Sequence, residues 1–345
     1  MIRAILTALV VLMGTPAMAQ NTPLVIAHRG ASGERPEHTR AAYELAIEQG
    51  ADFVEPDLVM SKDGVFVVRH ENEIGGTTDV AAHPEFADRH VTKTIDGVAT
   101  TGWFTEDFTL AELKTLRARE RLPQLRTANT AFDGQYPILT FDEVVEIARA
   151  GSARTGRAIS IAPELKHPYY FASIGLPMVD AFVSTLERLN LTGADAPILI
   201  QCFEVGPLER LSARVRSPLL QLMVAQGSPV DRPDLSYAAM ATPEGLKAIR
   251  AYAGSVGVEL TMIVPRGPEG SLPATTLIPD AHAAGLKVVA WTFRAENAFL
   301  PRELLRGEGF AAHGDLPALF RQFRDLGVDA VFSDFPGIAV ETFKR

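Results

Sequence analysis

Glu55-Pro56-Asp57 places two carboxylates two residues apart in a run of β-forming residues, Phe53 to Met60. Side chains two apart on a strand point the same way, so Glu55 and Asp57 share one face. Pro56 has no N–H to give a ladder, which puts this acid pair at a strand end or a bulge. Pro163-Glu164-Leu165-Lys166 repeats the spacing with an acid and a cation. Ile26-Ala27-His28-Arg29-Gly30 ends an apolar run in a histidine and an arginine, and His70 closes a second run, Val65 to Arg69. Oxygen ligands from Glu55, Asp57 and Glu164 suit a hard divalent cation, Ca²⁺ or Mg²⁺, rather than zinc, which favours thiolate and imidazole. Arg29 and Lys166 beside such an ion could neutralise a phosphoryl group. Two imidazoles can serve as acid and base near neutral pH. These residue types point to metal-assisted hydrolysis of a phosphate ester, with a buried ion pair between the acids and Lys or Arg as the alternative reading.

Such residues act together only if separate strand ends meet in one place. A recurring unit supplies the means: an Ala-rich amphipathic stretch, a glycine, then a short apolar run ending in a polar residue. It occurs at Ala46–Glu55, Ala283–Trp291 and Leu326–Asp334. Glycine takes the left-handed turn that ends a helix, and a run apolar on both faces belongs in a buried parallel sheet. Eight strand candidates follow: Leu24–His28, Phe53–Met60, Ile159–Lys166, Ile198–Phe203, Leu219–Val224, Val258–Ile263, Lys287–Phe293 and Ala330–Ser333. The expected fold is an α/β TIM (β/α)₈ barrel, which takes about 250 residues and presents its active site at the strand C-termini. The surplus falls after the second strand, where Val65–Arg69 reads as a hairpin return and an insertion runs over about 71–135. Thr109–Glu112 and Thr140–Glu143 read as capping boxes. Thr39 reads as the N-cap of a helix over 40–49, which gives Pro36-Glu37-His38-Thr39 a structural role.

The N-terminus has a separate pattern. Arg3, an apolar run from Ala4 to Met13 and Ala17-Met18-Ala19 read as a signal peptide over 1–19, leaving one domain over 20–345 and a periplasmic destination. No later stretch is apolar enough to anchor the exported chain in a membrane. The net charge of −9 in 345 residues gives no broad electrostatic surface for nucleic acid. The single cysteine, Cys202, excludes an internal disulfide and reads as a core thiol. The sequence fixes no oligomeric state.

Ala27-His28-Arg29-Gly30-Ala31-Ser32-Gly33 followed by Arg35-Pro36-Glu37-His38-Thr39 resembles the opening signature of the glycerophosphodiester phosphodiesterase family, in its periplasmic, glycerol-3-phosphate-releasing branch. The resemblance continues through Glu55-Pro56-Asp57-Leu58-Val59-Met60, His70, Pro163-Glu164-Leu165-Lys166, Gln201-Cys202-Phe203-Glu204 and Ser333-Asp334-Phe335-Pro336. It implies a TIM barrel that hydrolyses small glycerophosphodiesters to sn-glycerol 3-phosphate and an alcohol such as choline, ethanolamine or glycerol. It further implies His28 and His70 as the acid–base pair, Arg29 and Lys166 as phosphate ligands, and Glu55, Asp57 and Glu164 as ligands of one divalent cation, with Ca²⁺ favoured over Mg²⁺. The sequence departs from the family's pattern at Glu71, where Asp is usual after the second histidine. It departs again in Asn72–Thr78, which lacks an Asp-Arg pair, and at Trp291, where Tyr is common.

Gln201, Phe203 and Trp291 are candidates for the substrate pocket. His83, His90, His167, His282 and His313 have no partner that the sequence reveals. Two other functions stay open at this point: a related barrel phospholipase acting on intact lipid, which needs an exposed apolar face, and a non-catalytic surface-binding protein on the same fold.

Overall fold

The computed structural model describes residues 22–344; the expected export signal lies outside the described residues. Parallel strands pair in one continuous circuit around the molecule. The first barrel strand, Leu24–His28, lies between Ala330–Ser333 on one side and Phe53–Glu55 on the other. The second strand breaks at Pro56 into Phe53–Glu55 and Asp57–Met60, and the third likewise into Ser160–Ile161 and Glu164–Leu165. Phe53–Glu55 pairs with Ser160–Ile161 and Asp57–Met60 with Glu164–Leu165, with Asp57 opposite Glu164. Ile200–Cys202, Leu219–Met223, Ser255–Glu259 and Lys287–Phe293 then lead back to Ala330–Ser333. The result is the closed (β/α)₈ barrel expected from the sequence.

Each return to the barrel uses the helix–glycine–strand unit. Leu316–Leu326 buries Leu316, Leu319, Phe320 and Phe323, one stripe at helical spacing. Asp315 caps its start through the Ala318 N–H, and Gly327, at φ +96°, turns the chain toward the eighth strand. The core divides in two. Ile26, Ala162, Leu220, Leu222, Val289, Ala330 and Phe332 fill the barrel, while the larger cluster joins the barrel's outer face to the helices.

One strand expectation needs correcting. The sixth strand is Ser255–Glu259, and Leu260–Ile263, expected to continue it, forms a helical turn. Leu260 and Ile263 are its buried residues, and three-residue spacing suits one helix face rather than the alternating faces of a strand.

The chain between the second and third strands is packed onto the barrel. Phe66–Val68 returns antiparallel against Asp57–Met60. A hairpin, Val91–Ile95 with Val98–Gly102, follows, as do short 3₁₀ turns and both capping boxes, at Thr109 and Thr140. Phe86, Phe104 and Phe108 are buried in the same cluster as the barrel helices. Burial of each such ring stabilises the docked segment by roughly 1.5–3 kcal/mol. Among the described residues no helix is long and apolar enough to cross a membrane.

Candidate active site

The barrel's C-terminal mouth opens into a cavity of about 710 Å³, lined among others by His28, Arg29, Glu55, His70, Glu164 and Lys166. The first strand delivers His28 and then turns sharply, with Arg29 at φ +60° and Gly30 at φ +85°. A Cβ on Gly30 would lie 2.6 Å from the backbone carbon of Ala42, so only glycine fits against the following helix. Arg29 accepts the strained left-handed conformation because its N–H donates to Glu55 Oε2 at 2.7 Å.

Beneath this turn, Glu55, Asp57 and Glu164 are buried and converge, each offering a carboxylate oxygen within 4.8 Å of the others. Lys166 Nζ lies 2.6 Å from Glu164 Oε1 and 3.2 Å from Asp57 Oδ1, and Arg29 Nε lies 3.3 Å from Asp57 Oδ2. Burial, then the nearby Asp57 and Glu164 charges, push the Glu55 carboxyl well above its ordinary range. Burial raises Glu164 to about 8, opposed by Lys166 and reinforced by Asp57. Burial pushes Asp57 in the same direction but is overcome by Lys166, His70, His38 and Arg29, which hold it well below the usual carboxylate value. Three acids therefore face two cations, all five side chains buried. Converging oxygen donors with uncompensated negative charge fit a hard divalent ion.

The two histidines flank this cluster and are held alike. His28 Nδ1 lies 2.6 Å from Asp334 Oδ1, and His70 Nδ1 lies 2.5 Å from Glu71 Oε1. Asp334 Oδ2 accepts from Arg126 at 2.5 Å and from Arg294 at 2.9 Å, so this carboxylate is ionised and its contact with His28 requires a proton on Nδ1. Burial and the Arg29 charge lower His28 to about 4, against the opposing pull of Asp334. Burial, Arg29 and Lys166 lower His70 to about 3. Both rings are thus held toward the neutral form, and Nδ1 facing a carboxylate leaves Nε2 as the unprotonated nitrogen.

All ten residues singled out in the sequence lie at this end of the barrel. Gln201 turns inward, donating to Ala162 O at 2.9 Å and to Glu55 Oε1 at 3.3 Å, and so steadies an acid. Phe203 and Trp291 line the cavity edge-to-face, 5.8 Å apart, and Lys166 Nζ lies 5.9 Å from the Phe203 ring centre.

Two sequence readings need revision. Glu37 and His38 do more than shape a turn: Glu37 accepts from Arg29 at 2.9 Å, and His38 Nε2 lies 2.9 Å from Asp57 Oδ2. His167, left without a partner, pairs with Asp96 of the hairpin at 2.5 Å, and both line the cavity. Asp334, which directly follows a strand end, carried the same positional signal as His28. Arg294, directly after Lys287–Phe293, carried it too; Arg121 and Arg126 carried none.

The profile of the Glycerophosphoryl diester phosphodiesterase family matches residues 28–338. The chain is 36% identical over 329 residues to glycerophosphodiester phosphodiesterase GDPD6 of Arabidopsis thaliana, covering 91% of this chain and 84% of that one. It is 26% identical over 354 residues to a glycerophosphodiester phosphodiesterase of Haemophilus influenzae, covering 93% and 90%. Among solved structures, an Oleispira antarctica phosphodiesterase in complex with the product sn-glycerol-3-phosphate superposes with a TM-score of 0.60 at 23% identity, covering 94% of this chain and 98% of that one. A Thermotoga maritima glycerophosphodiester phosphodiesterase superposes at 0.54 and 18% identity, covering 92% and 97%. At these identities the two structures show a shared fold.

Proposed function

The chain belongs to the glycerophosphoryl diester phosphodiesterase family, and on that premise we propose that it hydrolyses glycerophosphodiesters to sn-glycerol 3-phosphate and an alcohol, using a bound divalent cation. The observation that carries this reading is the convergence of Glu55, Asp57 and Glu164 beside Lys166 and Arg29 at a cavity that both His28 and His70 line. The three carboxylates would hold the ion, with Ca²⁺ favoured over Mg²⁺ on the strength of the resemblance to the family's glycerol-3-phosphate-releasing branch. When bound, the ion supplies Lewis-acid polarisation of a phosphoryl oxygen.

Arg29 and Lys166 hold the non-bridging oxygens of the ester. One imidazole Nε2 takes the proton from the attacking hydroxyl, of water or of the substrate's own glycerol. The new O–P bond forms as the bond to the leaving alcohol breaks, and the other histidine gives that alkoxide a proton. An anionic ester lying against an imidazole raises its proton affinity, so the donor histidine is charged by the substrate it serves. Phe203 and Trp291 give the glycerol carbons an apolar wall. The chain is one domain over 20–345, exported by residues 1–19 to the periplasm; the charge and hydropathy pattern of those residues supports this.

Release of sn-glycerol 3-phosphate from choline, ethanolamine and glycerol diesters, set against release of the headgroup alcohol from a long-chain phospholipid, tests the substrate class. Small diesters are expected to turn over, and His28→Ala and His70→Ala are each expected to lower kcat roughly a hundred- to ten-thousand-fold with folding intact. Near-normal turnover by either variant would remove the histidine roles, and release from long-chain lipid alone would replace the substrate class.

A further inference from the structure

The segment between the second and third barrel strands contributes two arginines that touch neither histidine, yet each ends at a carboxylate that does. Arg126 is 8% exposed. Its NH2 donates to Asp334 Oδ2 at 2.5 Å, its Nε to Glu296 Oε1 at 2.6 Å and its NH1 to Ser32 O at 3.0 Å. All three nitrogens are engaged, and the partners lie on three different parts of the barrel mouth. Arg121 forks between two acids. Its Nε and NH2 each donate to Glu37 at 2.7 Å, while NH1 and NH2 donate to Glu71 at 3.0 and 2.6 Å. Glu71 meets His70, and Glu37 meets Arg29.

We infer that Arg121 and Arg126 are positioning residues through which this segment fixes the orientation and tautomer of both site histidines. The argument is geometric. An arginine-paired carboxylate is ionised and has only lone pairs to offer, through Asp334 Oδ1, whose other oxygen takes the arginines, and through Glu71 Oε1, which Arg121 NH1 also reaches; the imidazole beside it must therefore donate from Nδ1 and leave Nε2 toward the cavity. A free Asp or Glu side chain could rotate, and the imidazole with it; a guanidinium engaged at several points prevents that rotation. There is one such clamp per histidine, both from irregular backbone of this segment; Asp334 Oδ2 also accepts from Arg294 Nε at 2.9 Å, from outside the segment, so loss of Arg126 loosens Asp334 rather than freeing it. Rigid support of this kind is what a catalytic pair needs to keep reacting atoms aligned. The inference rests on the proposed roles of His28 and His70.

Arg126→Ala and Arg121→Ala, each combined with Asp334→Asn or Glu71→Gln, provide the test. Each single arginine variant is expected to lose about 10- to 100-fold in kcat with little change in KM, on the scale seen when partners that orient catalytic ligands are removed. Because Arg126 acts through Asp334, Arg126→Ala/Asp334→Asn should fall no further than Asp334→Asn alone, and Arg121→Ala should be masked likewise by Glu71→Gln. Added guanidinium ion should restore part of the activity of Arg126→Ala, which loss of a merely structural contact would not allow. Imidazole ¹⁵N shifts, read without substrate or cation, should move away from the Nδ1–H tautomer at His28 in Arg126→Ala and at His70 in Arg121→Ala. That readout stands even if the proposed substrate proves wrong. If Arg126→Ala does not fold, Arg126→Lys, which cannot span both acids, should show the same ¹⁵N change. Losses that simply multiply in the double variants, or unchanged tautomers in the single ones, would overturn the inference.

Discussion

Both imidazoles in this site are held far from their usual proton affinity, and the direction has a kinetic consequence. Burial and the Arg29 charge lower His28 to about 4, and burial with Arg29 and Lys166 lowers His70 to about 3. A base must be neutral to act, and a lowered value keeps it neutral as the pH falls. The acid limb of kcat/KM, which reports the free enzyme, is therefore expected below the ordinary histidine value of about 6.5. A bound cation would repel the imidazolium and push the limb further in the same direction. A pH–rate profile on a small glycerophosphodiester at saturating cation checks this, and an acid limb above that value would show that burial and Arg29 do not govern the base. Glu71, the departure from the usual Asp, still reaches His70, and Arg121 takes up its two oxygens.

The helices outside the barrel hold the strands in place and take no part in the chemistry, a division that variants can separate. Thr140 accepts from the Glu143 N–H while Glu143 Oε2 accepts from the Thr140 N–H at 2.7 Å, closing the cap of Phe141–Thr155. Thr140→Ala is expected to cost about 1 kcal/mol. In a chain of this size that lowers Tm by on the order of 2 °C, with kcat unchanged; thermal unfolding and initial rates read the two effects, and a fall in kcat would tie this helix to the site. This cap was legible because its signal is local, four residues with the right hydroxyl and carboxylate. The last two barrel strands, Lys287–Phe293 and Ala330–Ser333, were legible to their bounds for the same reason: each is an apolar run entered from a helix-ending glycine. Leu260–Ile263 was misread because a short apolar run satisfies both a strand and one face of a helix. Arg121 and Arg126 lie in irregular backbone, and their partners are far away in sequence: Asp334 is 208 positions from Arg126 and Glu37 is 84 from Arg121. No spacing rule reaches that far. Only closure of the barrel brings them together.

At the scale of the whole molecule, that closure is what turns scattered acids into a site. Glu55 and Asp57 arrive on the second strand and Glu164 on the third, and the pairing of Asp57 opposite Glu164 fixes their separation. Lys166 and Arg29 lie among these acids, and burial, reinforced by the neighbouring carboxylates, raises Glu55 and Glu164; a divalent cation bound there would offset that cost. Both acids are raised, so ligation favours their ionised forms and the affinity for the cation should rise with pH through the range near 8 to which Glu164 is raised. The most direct test is release of sn-glycerol 3-phosphate by chelator-stripped protein, held near pH 8, as Ca²⁺ is returned. The expected result is near-complete loss on stripping and recovery that saturates at one cation per chain. Turnover undiminished by thorough stripping would contradict the proposed role of Glu55, Asp57 and Glu164 in holding the ion.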